Sequence, residues 1–266
     1  MKHLLTTFAI FVFGFLFLAS TSTKNATTTA ATPLVKRVPA VFDFSPSSRV
    51  PTGSTGITIA MVKPTYLSSS FNPEYMVSPF NEMASRMADD FEELLTAKGF
   101  TIKGPFSSRD EMTYNDKINS SFILKVEINL DPQFIRKYVT TAHEPSFSDI
   151  LLNKNAPTTY TYKMLGDITF GGSLVIKAIS AQYGELLWTK SIALDGSSFS
   201  CPGQLEWPEV PTLSQELNQD DLVYNTVSSE LEKIYLKALN LAWQQIDPAE
   251  MKTVAEQGKK ADKRGS

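Results

Sequence analysis

Cysteine and histidine are almost missing from this 266-residue chain: it has one Cys, Cys201, and two His, His3 and His143. A single thiol excludes an internal disulfide and reads as a buried, inert side chain. So few soft or imidazole ligands cannot build a zinc site. With His3 in the leader described below, any histidine chemistry would fall to His143 alone. No Gly-x-Ser-x-Gly elbow, P-loop or dinucleotide fingerprint occurs. Glycosidase chemistry needs only two carboxylates, and the 28 acidic residues single out no pair. The expectation is a protein that is not an enzyme, with no catalytic residue, no metal and no cofactor. A charge bias is lacking too: 25 basic residues against 28 acidic ones leave a net charge of -3. Nothing there marks a nucleic-acid partner.

Long apolar runs are equally scarce. One stretch stands out, Phe8 to Ala19, preceded by Met1-Lys2-His3 and followed by Ser, Thr and Ala. A basic start, about a dozen apolar residues and a small-residue exit make a secretory signal peptide. The run is short of the roughly 20 residues of a spanning helix. Residues 1–20 are therefore expected to be a signal peptide and the protein to be exported. Leu18-Ala19-Ser20 would lead well into an acylated cysteine, but the next residue is Thr21. No lipid anchor is expected, which leaves attachment to protein partners or to an uncleaved leader.

What the chain does contain is an ordinary globular composition, 42% hydrophobic and 20% charged, with ample material for a core. Residues 21–55 divide into a Ser/Thr/Ala tether up to Thr32 and an extended arm, Pro33 to Pro51, whose apolar residues Val41, Phe42 and Phe44 are set to pack on the domain or on a neighbour. Ile57 to Val62 is a strand that should leave the sheet at Lys63-Pro64. Phe80, Met83, Met87, Phe91, Leu94 and Leu95 recur at three and four residues and predict a helix over Pro79 to Lys98. Ser78 is its candidate cap and Gly99 its stop. Asp89, Asp90, Glu92 and Glu93 fall on the opposite, solvent-facing side.

Phe100 to Lys103 reads as a strand closed by Gly104-Pro105. A short helix or turn then leads to Phe122 to Leu130, where Phe122, Leu124, Val126, Ile128 and Leu130 form one buried face. The prolines of residues 131–157 break every pattern. Thr158 to Lys163 alternates, and Ser173 to Ile179 and Leu186 to Leu194 form a hairpin around Gln182 to Glu185. Cys201 to Pro211 is a loop holding Trp207. From Asp220 to Ile246 an apolar stripe predicts a long helix, capped by Asp220 or Asp221. After Pro248 comes a polar helix and a basic tail. The fold class is α+β: a mixed, mostly antiparallel sheet backed by a long helix in the N-terminal half and a long C-terminal helix, with residues 56–247 as the domain and 248–266 as its polar extension.

The order strand, Lys63-Pro64, long helix, Lys98-Gly99-Phe100, strand Phe122 to Leu130, Tyr183-Gly184-Glu185 hairpin and terminal helix with basic tail resembles the neuraminyllactose-binding haemagglutinin family of Gram-negative envelope proteins, also known as flagellar-sheath adhesin lipoproteins. The resemblance runs from Ile57 to Arg264. It implies a divergent, non-lipidated member: a compact, non-enzymatic α+β domain, periplasmic or outer-membrane-associated. The family's sialylated-glycan role attaches to a Lys/Arg-rich motif after the strand matching Phe122 to Leu130. Here that place holds Arg136, Lys137 and Tyr138, with only two basic residues; Arg136 could hold a sialic carboxylate and Tyr138 stack on the sugar. An ordinary alternating strand accounts for the same residues. Relatives of this fold class also serve as accessory parts of envelope-spanning machines, including Dot/Icm-like type IVB secretion cores. The expected role is thus a scaffold whose partners are other envelope proteins of an assembly, with the outer membrane a further candidate. A sialoglycan-binding adhesin is the alternative.

Overall fold

The computed structural model describes residues 34–46, 54–67, 73–153, 155–194 and 198–264. The expected leader and tether therefore lie outside the described residues. Strand β1 (Thr58–Tyr66) is followed by helix α1 (Phe80–Ala97), strand β2 (Thr101–Phe106), the short helix α2 (Tyr114–Ile118) and strand β3 (Phe122–Ile135). Next come β4 (Tyr138–His143), α3 (Phe147–Leu152), the 21-residue β5 (Thr159–Ile179), β6 (Leu186–Ala193) and β7 (Ser198–Pro202). Helices α4 (Leu213–Gln219), α5 (Asp221–Gln245) and α6 (Pro248–Arg264) close the chain.

The seven strands form one sheet in which β1 runs parallel to β2 and β3, while β5 pairs antiparallel with β3, β4, β6 and β7. The α+β class with a mixed, mostly antiparallel sheet is as the sequence predicts. Side-chain alternation on β3 sends Phe122, Leu124, Val126, Ile128 and Leu130 into the main core, against Phe80, Phe91 and Leu94 of α1 and Leu231, Tyr235 and Ala242 of α5. The other face carries a smaller cluster of Ala60, Val62, Met112, Ile123 and Ala181.

Local punctuation explains where the elements end and where expectation failed. Asp220 caps α5 as expected, its Oδ1 accepting the N–H groups of Leu222 and Val223. Ser78 does not cap α1; its hydroxyl donates to Glu82 instead. Lys63-Pro64 does not end β1. The register shifts between Val62 and Thr65, so the missing proline N–H falls in the irregularity and the strand runs on to Tyr66. Likewise β2 continues through Gly104, whose φ of +105° and approach to the Met61 carbonyl leave no room for a side chain. The expected Cys201 to Pro211 loop begins inside β7. No packing break occurs at residue 248: Met251, Val254 and Ala255 of α6 are buried in the main core, and Gly258 sits against the Ser121 carbonyl. Residues 131–157 hold the end of β3, β4 and α3. Beyond the point where β3 leaves β5, the strands β4 and β5 continue as a two-stranded ribbon with α3 in its connection.

No helix among the described residues is long and apolar enough to cross a membrane.

Candidate functional site

Arg136 and Lys137 form the joint between β3 and β4, and Tyr138 opens β4. Opposite the joint, Gly166 allows β5 to approach closely; a Cβ there would lie 2.8 Å from the Ile135 carbonyl oxygen. The joint turns two of the three side chains toward α4. Arg136 donates to the Pro211 carbonyl at 3.4 Å and stands 4.0 Å from the Glu216 carboxylate. Tyr138 Oη donates to Glu216 Oε1 at 3.1 Å. The Glu216 side chain is fully buried, and an ionised carboxylate there requires partners of this kind. Burial, then the Glu216 charge, pushes the Tyr138 phenol up to about 12. Arg136 and Tyr138 therefore already serve an internal carboxylate, and a sialic carboxylate would have to compete with Glu216 for them. Lys137 is exposed and takes no part in that cluster.

Of the two expected destinations for residues 33–51, a neighbour or the domain itself, the described part, 34–46, takes the domain. Its N–H groups at Val35, Val38, Val41 and Phe44 meet the side-chain acceptors Gln204, Asn225, Glu232 and Asp90 at 2.7, 2.8, 2.7 and 2.8 Å. That spacing of three is the period of polyproline II. Arg37 bonds Asp221 at 3.1 Å and the Leu217 carbonyl, and covers the Tyr224 ring at 4.0 Å. Phe42 and Phe44 are buried in the main core, and the Phe42 ring stands 5.2 Å from that of Tyr235. Of the three candidate partner-binding residues only Val41 keeps an exposed side chain.

Sequence reasoning missed Asp90, which it placed on the solvated face of α1. Asp90 is buried, with its Oδ2 accepting from the Phe44 N–H at 2.8 Å and from the Tyr235 hydroxyl at 2.5 Å. Burial raises its pKa, partly countered by those two hydrogen bonds. Asp90 lies three residues from Met87 and four from Leu94, so its position at the margin of the apolar stripe was the available signal. Asp220 has a second role as well: its Oδ2 accepts the N–H groups of Gln204 and Leu205 at 2.7 and 2.8 Å. One carboxylate thereby fastens the loop that in turn holds the arm at Val35.

Among the described residues, the one histidine, the one cysteine and the Ser146–Asp149 pair each have a local partner or are buried. His143 Nε2 lies 2.9 Å from Thr161 Oγ1 and 4.0 Å from Glu206. An open pocket of about 540 Å³ borders His143, Ser146 and Asp149, but Ser146 and Asp149 are tied to each other in the capping box of α3. Cys201 is buried, which with the charges of Glu216 and Asp220 pushes its thiol up to about 12. Among the described residues no group of three or more His, Cys, Asp or Glu could hold a metal.

The ribbon is exposed along its length. Every residue of β4 from Val139 to His143 is exposed, so neither face of that strand is covered. On α3, Phe147, Leu151 and Leu152 are 78, 69 and 89% exposed, a local concentration of apolar side chains in solvent.

No protein-family model matches the sequence, and neither does any curated protein. Among solved structures, a neuraminyllactose-binding haemagglutinin homologue from Helicobacter pylori aligns with a TM-score of 0.54 at 11% identity, covering 84% of this chain and 100% of its own. The two chains share a fold. A DUF330 protein from Xanthomonas campestris aligns at a TM-score of 0.29 and 8% identity, covering 83% of this chain and 96% of its own. The PelC dodecamer from Paraburkholderia phytofirmans gives 0.23 and 13%, covering 71% and 93%.

Proposed function

We propose that this protein is a divergent relative of the haemagglutinin-like envelope proteins that acts without catalysis, as an exported accessory or scaffold component of an outer-membrane-associated assembly such as a Dot/Icm-like type IVB secretion core. The observation that carries the reading is the ribbon: a strand exposed on both faces, leading to a short helix with three large apolar side chains in solvent. A protein whose task is contact with other proteins has a use for such a surface. The Cys201 thiol, buried and held in its neutral form, is not set up as a nucleophile. The sialoglycan reading has less to draw on, because Arg136 and Tyr138 are committed to Glu216.

The experiment is a mild-detergent pull-down of the C-terminally tagged protein from native envelopes, with mass spectrometry of what accompanies it. A stoichiometric set of envelope or secretion proteins is expected, and its loss when Phe147, Leu151 and Leu152 are changed to Ser. Recovery of the protein alone, together with saturable binding of sialyllactose, would overturn the scaffold reading in favour of the adhesin.

A further inference from the structure

The outer edge of β4, on the side away from β5, is the open margin of the ribbon. Among the described residues no strand lies on that side of β4. The direction of its backbone groups follows from the ladder with β5. Leu165 donates its N–H to the Lys137 carbonyl at 2.7 Å, while Tyr138 stands opposite Met164. In an antiparallel ladder the bonded direction alternates from residue to residue. The N–H groups of Val139, Thr141 and His143 are then directed at β5, and those of Tyr138, Thr140 and Ala142 away from it. Tyr162, opposite Thr140, obeys the same alternation: its N–H goes to the Trp207 carbonyl, on the side of β5 away from β4.

Edge strands that stay single are usually blunted by a charge, a proline or a bulge. Tyr138-Val139-Thr140-Thr141-Ala142-His143 carries no proline and no Lys, Arg, Asp or Glu, and its pairing with β5 runs without a register shift. The charges sit just outside its two ends: Arg136 and Lys137 before it, Glu144 after it. A parallel neighbour would set like charges together. An antiparallel copy sets the basic end of each strand against the acidic end of the other.

We propose that two copies of this chain associate through β4, antiparallel, about a two-fold axis at Thr140. A two-fold axis normal to a sheet keeps side chains on the same face, so the residue at the axis must face its own counterpart. Centring on Thr140 uses all three outward N–H groups: Thr140 bonds with Thr140 of the other copy, and Tyr138 with Ala142. The same register puts Arg136 opposite Glu144 of the other copy, which joins Glu216 as a second carboxylate beside that guanidinium. It also lays Pro145 of the other copy against Ile135, which is 57% exposed in the single chain. Lys137 meets His143, the least favourable pair of the set. Opposed charges and Thr–Thr contacts across such a ladder are each stabilising. The pairing is independent of which assembly the protein serves.

The test uses the full chain in mild detergent, followed by sedimentation equilibrium. The wild type is expected to dimerise. Thr140→Pro removes one outward N–H and none of the bonds to β5, so it should abolish the dimer while leaving the circular dichroism spectrum and melting curve unchanged. Glu144→Lys should weaken the dimer through like charges at both ends. Thr140→Cys should cross-link copy to copy under mild oxidation, because the buried Cys201 offers no competing thiol. A monomeric wild type, or a Thr140→Pro variant that folds and still dimerises, would overturn the proposal. Should Thr140→Pro fail to fold, absence of the Thr140→Cys cross-link in folded protein would overturn it equally.

Discussion

The arm of residues 34–46 and the ribbon of β4, α3 and the start of β5 are alike in sequence character and opposite in fate. Both are flanked by prolines and sprinkled with large apolar residues. The body absorbs the arm: Phe42 and Phe44 are buried, and N–H groups at every third residue find a carboxylate or amide oxygen. The ribbon gets no such reception, with Phe147, Leu151 and Leu152 in solvent. Apolar content does not separate the two. What separates them is the row of acceptors that α5, α1 and the Gln204 loop offer to the arm. An extended segment cannot be buried with its backbone polar groups unpaired, so a groove supplied with acceptors takes one and a bare surface does not.

The sharpest way to break this comparison is to shorten an apolar side chain in each region. Phe42→Ala should cost about 3–5 kcal/mol, since it opens a cavity beside Tyr235 in the main core. Urea denaturation measures it, and a cost below about 1 kcal/mol would mean the arm is not part of the folded unit. Next in size is Asp90→Ala, which leaves the Phe44 N–H and the Tyr235 hydroxyl buried without their acceptor. About 2–4 kcal/mol is expected on the same assay, with residues 34–46 becoming open to proteolysis. Leu152→Ser, at the most exposed large apolar position among the described residues, should change stability by no more than about 0.5 kcal/mol. A larger cost would show that α3 is packed in solution.

Acidification sharpens the same contrast through Asp90. Burial, the largest influence, and the neighbouring charges of Asp43 and Glu93 hold its folded-state pKa above the ordinary carboxylate value, against the two hydrogen bonds that lower it. The folded chain therefore binds the Asp90 proton at a pH where the unfolded chain has released it. Its contribution to stability is full below the unfolded value of about 3.9 and is lost as pH rises through the folded one. Comparing urea midpoints of the wild type and Asp90→Asn, the wild type should gain relative stability as pH falls from 7 toward 4. Carboxylates common to both cancel, and a difference that stays flat would refute the assignment.

Much of this architecture could be read from local pattern because local pattern has a local cause. The buried face of β3 and the stripes of α1 and α5 follow from side-chain direction in strands and helices, and the hairpin at Gln182 to Glu185 from its turn residues. The prolines in β1 and β2 misled, since a strand can carry a proline where its register slips or at the sheet edge. Residues 131–157 were opaque for a different reason. Their strand is solvated on both faces, so it has no buried side to impose an alternation of apolar and polar residues. At the candidate site, Arg136 and Tyr138 converge on a carboxylate and Lys137 does not, and that carboxylate lies on α4, some eighty positions further along.

The sequence by itself determined the class of fold and the two long helices, because composition and periodicity act through the backbone nearby. Tertiary structure alone decided that Phe42 and Phe44 serve this domain, that Asp90 faces inward, and that Arg136 and Tyr138 answer to Glu216. Each of those outcomes depends on which polar atoms meet across the chain, and a buried donor or carboxylate is stable only where its partner has been brought to it.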